Sequence, residues 1–258
     1  MKPELKKKLK PFALFFLSLG FDPRKLSSFK HFARYRKDKK EWLKQGGKIT
    51  RNHMILFDYS HSAGNNKGHY FHQDLLVAKL IHEKNPKRHI DIASRVDGFV
   101  AHVASFRKIE VVDVRPLPKS EHENIQFRQA DLMNSKDLGK TDSISCLHAI
   151  EHFGLGRYGD KIDINGHING FNNIIKMLKS GGKLYISFPI GKRNEIHFNA
   201  HRVFHHNDIF NWNESLDNII LERFDFVDDR GKLNLNKNLN TDCKEIKFGC
   251  GIYTFQKV

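Results

Sequence analysis

The chain has 258 residues, 39% of them hydrophobic and 21 of them Phe, enough to build one large buried core. It contains no run of about 18 apolar residues, which excludes a membrane-spanning helix. The net charge of +15 lies mostly at one end, because residues 1–50 hold 15 Lys and Arg against 4 acids, leaving +4 for the remainder.

The chain opens with "KPELKKKLKPFALFFLSLGF", a basic cluster followed by a short apolar run. Pro11 interrupts the start of that run and no small-x-small cleavage site follows it, so a secretory signal is not expected. A basic helical extension is expected over residues 1–66, and its basic, partly apolar residues 1–50 suit an anionic membrane surface or RNA. A basic helix packed on the domain by its Phe and Leu residues is the plainer reading. The second domain spans 67–258. Within it, "GHYFHQDLLVA" (Gly68–Ala78) is polar and then helical, either as a capped helix start or as a lid bringing Gln73 or Asp74 to a ligand.

From residue 85 the pattern becomes regular. Short apolar strands are expected at His89–Ala93, Ile109–Pro116, "IQFRQADL" and Asp142–Ile150. Val96–Phe106 carries helical apolar spacing. Ile168–Gly182 reads as a helix closed by Gly, feeding a fifth strand at Lys183–Pro189. "NIILERFDFVDD" and "KFGCGIYTFQKV" add two strands with little helix between them, and "LNLNKNLNTD" (Leu233–Asp242) reads as a polar loop. The fold class is therefore α/β, a Rossmann-like, seven-stranded doubly wound sheet with a C-terminal antiparallel hairpin. Cys146, Cys243 and Cys250 have neither the spacing of a metal motif nor the number for a disulfide framework, which favours a reducing cytoplasm.

Ligands of such sheets bind beyond the carboxyl ends of the strands. After the first strand stands "DIASRVDG", with Asp91, Ala93, Ser94, Arg95 and Gly98 where a nucleotide site usually reads D-x-G-x-G. After the second stands Asp113, 22 residues beyond Asp91, the distance at which an acid commonly accepts from ribose hydroxyls. After the third come Asp131 and Leu132, with Asp131 placed for an adenine amino group. Three acids at successive strand ends point to a nucleoside cofactor.

After the fourth strand, "CLHAIEHFGLGRYGD" contains H-x-x-E-H, the inverted zinc-protease signature. Proteases carry that pair of His on one helix. Here His148 falls at a strand end, and Gly154 and Gly156 break any long helix, so the protease reading is set aside.

The closing "GGKLYISFP" strand with its following hairpin resembles the class I S-adenosylmethionine-dependent methyltransferases over residues 85–258. "GHYFHQDLLVAKLI", "HIDIASRVDGFVAHVASF", "VVDVRPL" and "LHAIEHFGLGRYGD" together look like a little-characterised methyltransferase-like family of bacterial surface-polysaccharide gene clusters, with relatives in nematodes. The resemblance implies S-adenosylmethionine held by Asp91, Ala93, Ser94, Arg95, Gly98, Asp113, Asp131, Leu132, His148 and Gln73. It implies O-methylation of a sugar or sugar-linked group by a cytoplasmic enzyme working at the inner face of the membrane.

Glu151, His152 and His201 would then face the acceptor. Two O-methyltransferase groups, those of ubiquinone biosynthesis and of small-RNA 3′ ends, carry a similar E-x-x-E-H that binds a divalent metal. Here His148, Glu151, His152 and His201 form the corresponding metal set, and His152 or His201 acting as a metal-free general base is the competing reading. Two further functions stay open. One is RNA 2′-O-methylation, which the distribution of basic charge disfavours. The other is a non-catalytic assembly or membrane-docking module.

Overall fold

The computed structural model describes residues 20, 23–134, 138–212, 218–243 and 245–258. Most of the basic opening stretch lies outside the described residues. The chain divides into two compact units, Met1–Asn65 and Asn66–Val258.

In the first unit a 3-10 segment, Pro23–His31, runs into α1 (Phe32–Lys44), and a second 3-10 turn covers Phe57–Ser60. The sequence "FARYRKDKKEWLK" gives α1 no apolar stripe, and none of its residues is buried. Polar links hold this unit together. Tyr59 Oη donates to Asp38 at 2.9 Å, and the Arg34 guanidinium lies 4.4 Å over the Tyr59 ring.

The second unit is built on one sheet. Its strands are β1 (His89–Ile92), β2 (Ile109–Asp113), β3 (Ile125–Gln129), β4 (Thr141–Leu147), β5 (Leu178–Gly191), β6 (Glu195–His197), β7 (His201–His205), β8 (Ile219–Val227), β9 (Leu233–Asn234) and β10 (Gly249–Lys257). The spatial order is β3-β2-β1-β4-β5-β10-β8-β9. The first five strands are parallel, and β10 lies antiparallel between β5 and β8. This is the expected doubly wound sheet with its antiparallel closing pair. Three short strands, β6, β7 and β9, extend it.

Both faces of the centre are covered. Ile90, Ile144, Ile186 and Phe188 pack with Phe171 and Ile174 of α4 (Gly166–Met177). On the other face Val111, Leu147 and Tyr185 meet Val77 and Ile81 of α2 (His69–Lys84), Phe99, and Val103 of α3 (Ala101–Ala104). Strands buried on both sides usually read as continuous apolar runs. β1 and β4 instead alternate, so His89, Asp91, Ser143 and Ser145 form a buried polar seam. His89 Nδ1 pairs with Ser143 Oγ at 2.8 Å and its Nε2 with Ser145 Oγ at 3.0 Å. Hydrogen bonding across the strand pair is what makes this seam tolerable.

Three expectations need correction. The helix begun near Ile168 ends at Met177, not at Gly182. Leu178 turns extended and pairs with Thr141, and pairing resumes at Ser143 with Lys183. Gly181, at φ +74°, therefore serves a bulge inside β5 rather than a helix cap. The polar stretch 233–242 holds a two-residue strand, β9, and a short helix, α5 (Leu239–Asp242), started by Asn238, whose Oδ1 accepts from Asn240 N at 2.9 Å. The β6–β7 hairpin was not anticipated at all. Its turn lacks the Asn-Gly or Gly-rich signal that marks hairpins in a sequence.

Candidate functional site

The chain steps outward through β1, β2 and β3 and then returns to place β4 on the other flank of β1. This reversal opens a crevice at the carboxyl ends of the strands. Its walls are Ile92 and Ala93 after β1, Asp113 to Arg115 after β2, and Ala130 to Met133 after β3. His148, Ala149, His152, Phe153, Tyr158 and Asp160 close it on the β4 side.

The loop after β1 is shaped by its own residues. Ala93 takes φ +56°, a left-handed conformation that only a small side chain enters cheaply, and it sits on the crevice wall. Asp91 does not line the crevice. It is fully buried behind the loop, where Oδ1 accepts from Ser94 Oγ and Ser145 Oγ, both at 2.6 Å. Its Oδ2 accepts from Ser94 N at 3.0 Å. Burial pushes its carboxyl up to about 6, against the pull of these three donors. Ser94 is buried and also accepts from Leu147 N at 3.1 Å, tying the loop to β4. Arg95 points outward, paired with Asp97 and stacked 5.1 Å over Tyr70.

Gly98 serves packing. A Cβ there would lie 2.8 Å from Asp74 Oδ2. Gln73 and Asp74 are both buried away from the crevice, and Gln73 Oε1 accepts from Ser187 Oγ at 2.6 Å. The helix start at Gly68 has no side-chain cap.

Asp113 reaches the crevice, but both its oxygens are engaged by Arg115. The guanidinium donates at 3.0 Å to Oδ1 and 2.6 Å to Oδ2. Arg115 also lies 4.2 Å over the Tyr158 ring. Asp131 caps its own turn, accepting from Met133 N at 2.9 Å and Asn134 Nδ2 at 2.6 Å, while Leu132 is buried on the wall.

The H-x-x-E-H string occupies no helix. His148 stands at φ +50° after β4, and Ile150–His152 make a single 3-10 turn. The turn brings both imidazoles to one carboxylate. His148 Nδ1 meets Glu151 Oε1 at 2.8 Å, and His152 Nε2 lies 3.8 Å from the same oxygen. Glu151 is buried, and its Oε2 has no partner.

His152 Nδ1 donates to the Ala200 carbonyl at 2.7 Å. A carbonyl only accepts, so the proton is on Nδ1 and Nε2 carries the lone pair. Burial lowers the His152 pKa against the pull of Glu151, which keeps the ring neutral at pH 7. His148 is shifted the other way. Burial pushes it down, but Cys250 and Glu151 together raise it well above an ordinary imidazole.

His201, on β7, stacks edge-on to His152 with ring centroids 6.5 Å apart, and its Nε2 is buried without a partner. Arg202 of the same strand is buried and donates to the Phe153 carbonyl at 2.6 Å, pinning the hairpin to the loop after β4. His148 and His152 both meet Glu151, but the four residues expected to form a metal set do not bring their donor atoms together around one point. Among the described residues the group that does is His69, His148 and Cys250. The sequence offered no spacing signal for it, and Arg115 and Tyr158 on the crevice wall were likewise not singled out.

Coclaurine N-methyltransferase, bound to N-methylheliamine and S-adenosylhomocysteine, matches with a TM-score of 0.54 at 9% identity, over 98% of this chain and 94% of that one. Burkholderia thailandensis 1,6-didemethyltoxoflavin-N1-methyltransferase, with its substrate and S-adenosylhomocysteine, matches at 0.52 and 12% identity, over 89% and 90%. The fold is that of S-adenosylmethionine-dependent methyltransferases. The same methyltransferase fold extends to the [4+2]-cyclase SpnF, at 0.50 and 12% identity over 83% and 90% of the two chains, so fold alone does not assign the reaction. Residues 122–212 match the family model described as Caenorhabditis protein of unknown function, DUF268. That segment includes the H-x-x-E-H string and the β6–β7 hairpin. No curated protein matches the sequence.

Proposed function

We propose that this chain is an S-adenosylmethionine-dependent O-methyltransferase acting on a sugar or sugar-linked hydroxyl of a surface polysaccharide. The observation that carries the reading is His152, a neutral imidazole on the crevice wall with its tautomer set by Ala200 and its Nε2 lone pair available. A sugar hydroxyl is a poor acid and needs a base at the moment its oxygen attacks.

The crevice fits the cofactor. Ile92, Val112, Ala130 and Leu132 form an apolar slot, Ala93 lets the backbone approach closely, and Asp113 supplies an acid at the β2 end. The cofactor supplies an electrophilic methyl group. The chain supplies the rest. His152 Nε2 takes the hydroxyl proton, and the resulting imidazolium is stabilised by Glu151 Oε1 at 3.8 Å and by the Ala200 carbonyl. His201, half-buried on β7, stands against the His152 ring with centroids 6.5 Å apart and would orient the acceptor through it. The glycan acceptor and a working place at the membrane's inner face rest on the family resemblance. No helix among the described residues is long and apolar enough to cross a membrane.

Calorimetry with S-adenosylmethionine and S-adenosylhomocysteine tests the first half of this reading, and binding is expected for both. Transfer of labelled methyl to lipid-linked or nucleotide-linked sugars tests the second, with His152→Ala expected to remove transfer and keep cofactor binding. Binding with transfer only to RNA, lost steeply with salt, would replace the glycan reading by the RNA one. No binding would leave a non-catalytic module.

A further inference from the structure

His69, His148 and Cys250 come from distant places in the chain: the first residue of α2, the residue after β4, and the second residue of β10. One donor atom of each lies within 4.8 Å of the other two. The His69 and His148 rings stack nearly parallel, 4° between planes, with centroids 5.3 Å apart.

The environment of His148 gives the cluster a direction. Glu151 Oε1 takes its Nδ1 at 2.8 Å, which leaves Nε2 as the other donor atom. That Nε2 is buried and has no partner. Leaving such an atom bare is costly, so it calls for an explanation. A carboxylate on one ring nitrogen with the other left for an ion is how metal-binding imidazoles are usually oriented. Cys250 is fully buried. Its thiol makes long contacts, 3.7 Å to Gln73 Oε1 and 3.6 Å to the Gly251 carbonyl, and faces the His148 ring.

We infer that His69, His148 and Cys250 bind a zinc ion, with Glu151 positioning His148 through Nδ1. Two imidazoles and one thiolate suit zinc and are a poor set for magnesium or calcium, which require oxygen. Binding releases the Cys250 thiol proton to solvent. Three protein ligands leave a fourth position on a tetrahedral ion, the pattern of catalytic rather than closed structural zinc. His148 also lines the cofactor crevice, so the ion stands beside that site. The set shares only His148 with the four residues expected from the sequence.

The test uses the full chain, purified through a tag that does not chelate metal, equilibrated with zinc and desalted. Elemental analysis is expected to find one zinc per chain. Cobalt loading is expected to give a thiolate-to-metal charge-transfer band that vanishes in Cys250→Ser. His69→Gln and Cys250→Ser should each lose the zinc, and Glu151→Gln should weaken it about 10–100-fold. His152→Ala and His201→Ala should keep it. Circular dichroism melting of every variant separates loss of metal from loss of fold. No zinc uptake by the wild-type chain, or a charge-transfer band surviving Cys250→Ser, overturns the site. So does zinc lost with His152→Ala or His201→Ala but kept by a folded His69→Gln. Cofactor binding is read separately by calorimetry, so zinc uptake without S-adenosylhomocysteine binding would sink the methyltransferase reading alone.

Discussion

Two buried carboxylates flank the crevice, Asp91 in β1 and Glu151 just after β4, and they are treated in opposite ways. Neither is among the residues that line the crevice, and Asp91 is met by three donors from Ser94 and Ser145. Glu151 shares one oxygen between two imidazoles and leaves the other bare. A fully satisfied carboxylate braces a loop. A half-satisfied one in a dry wall retains interaction strength for protons or ions that arrive later. Both are carboxylates at the same depth, and the partner count is what separates them.

The sharpest way to break the comparison is Glu151→Gln, which keeps the volume and an acceptor for His148. Methyl transfer should fall by about 10²–10⁴-fold with the melting temperature nearly unchanged, measured in single turnovers. Survival of activity would make Glu151 a brace like Asp91. Next in size is Asp91→Ala, which strands Ser94 N, Ser94 Oγ and Ser145 Oγ. Denaturant titration should show a loss of about 3 kcal/mol.

A smaller effect lies in the pH dependence of stability. Burial takes His89 from 6.5 down to about 3, so the unfolded chain binds its proton first. Stability from His89 is therefore lost as pH falls from 6.5 towards 3. Asp91 is raised from 3.8 to about 6, so its contribution is present below 3.8 and lost as pH rises to 6. The two slopes oppose one another across that shared window. Asp91→Asn should steepen the acid-side loss there by up to about 1.4 kcal/mol per pH unit. An unchanged slope in denaturant midpoints against pH would show that Asp91 does not hold its proton in the fold.

The smallest effect concerns Arg115, which engages both oxygens of Asp113 at the crevice. Arg115→Ala should tighten S-adenosylhomocysteine by no more than about fivefold, since a half-exposed pair is worth about 1 kcal/mol or less. Weaker binding in calorimetry would instead make Arg115 part of the cofactor contact.

Much of the sheet was legible because its strands are short apolar runs bounded by Asp, Pro and Gly, and because acids recur at their ends. The position of His148 at a strand end, which removed the protease reading, was legible for the same reason. Partner counts were not. Nothing in "DIASRVDG" tells that Ser145, 54 residues further along the chain, completes the shell of Asp91. The approach of Cys250 to His69 and His148 was hidden because β10 inserts beside β5, and a tertiary strand order leaves no spacing in the chain. The β6–β7 hairpin escaped because "HFNAHR" carries a single turn residue, Asn199, with no Gly or Pro beside it.

That hairpin has a consequence of its own. Among the described residues its strand pairing to the main sheet is Ile190 with Phe204 and Gly191 with His205, Phe204 packs on Phe188, and Arg202 fastens it by backbone carbonyls, which every residue type provides. None of its strand residues lines the cofactor crevice. Under the proposed function it is a partly exchangeable cassette: the exposed side of the hairpin around His201 can be rewritten, while Val203 and Phe204 stay fixed in the core and the cofactor half of the domain is inherited unchanged.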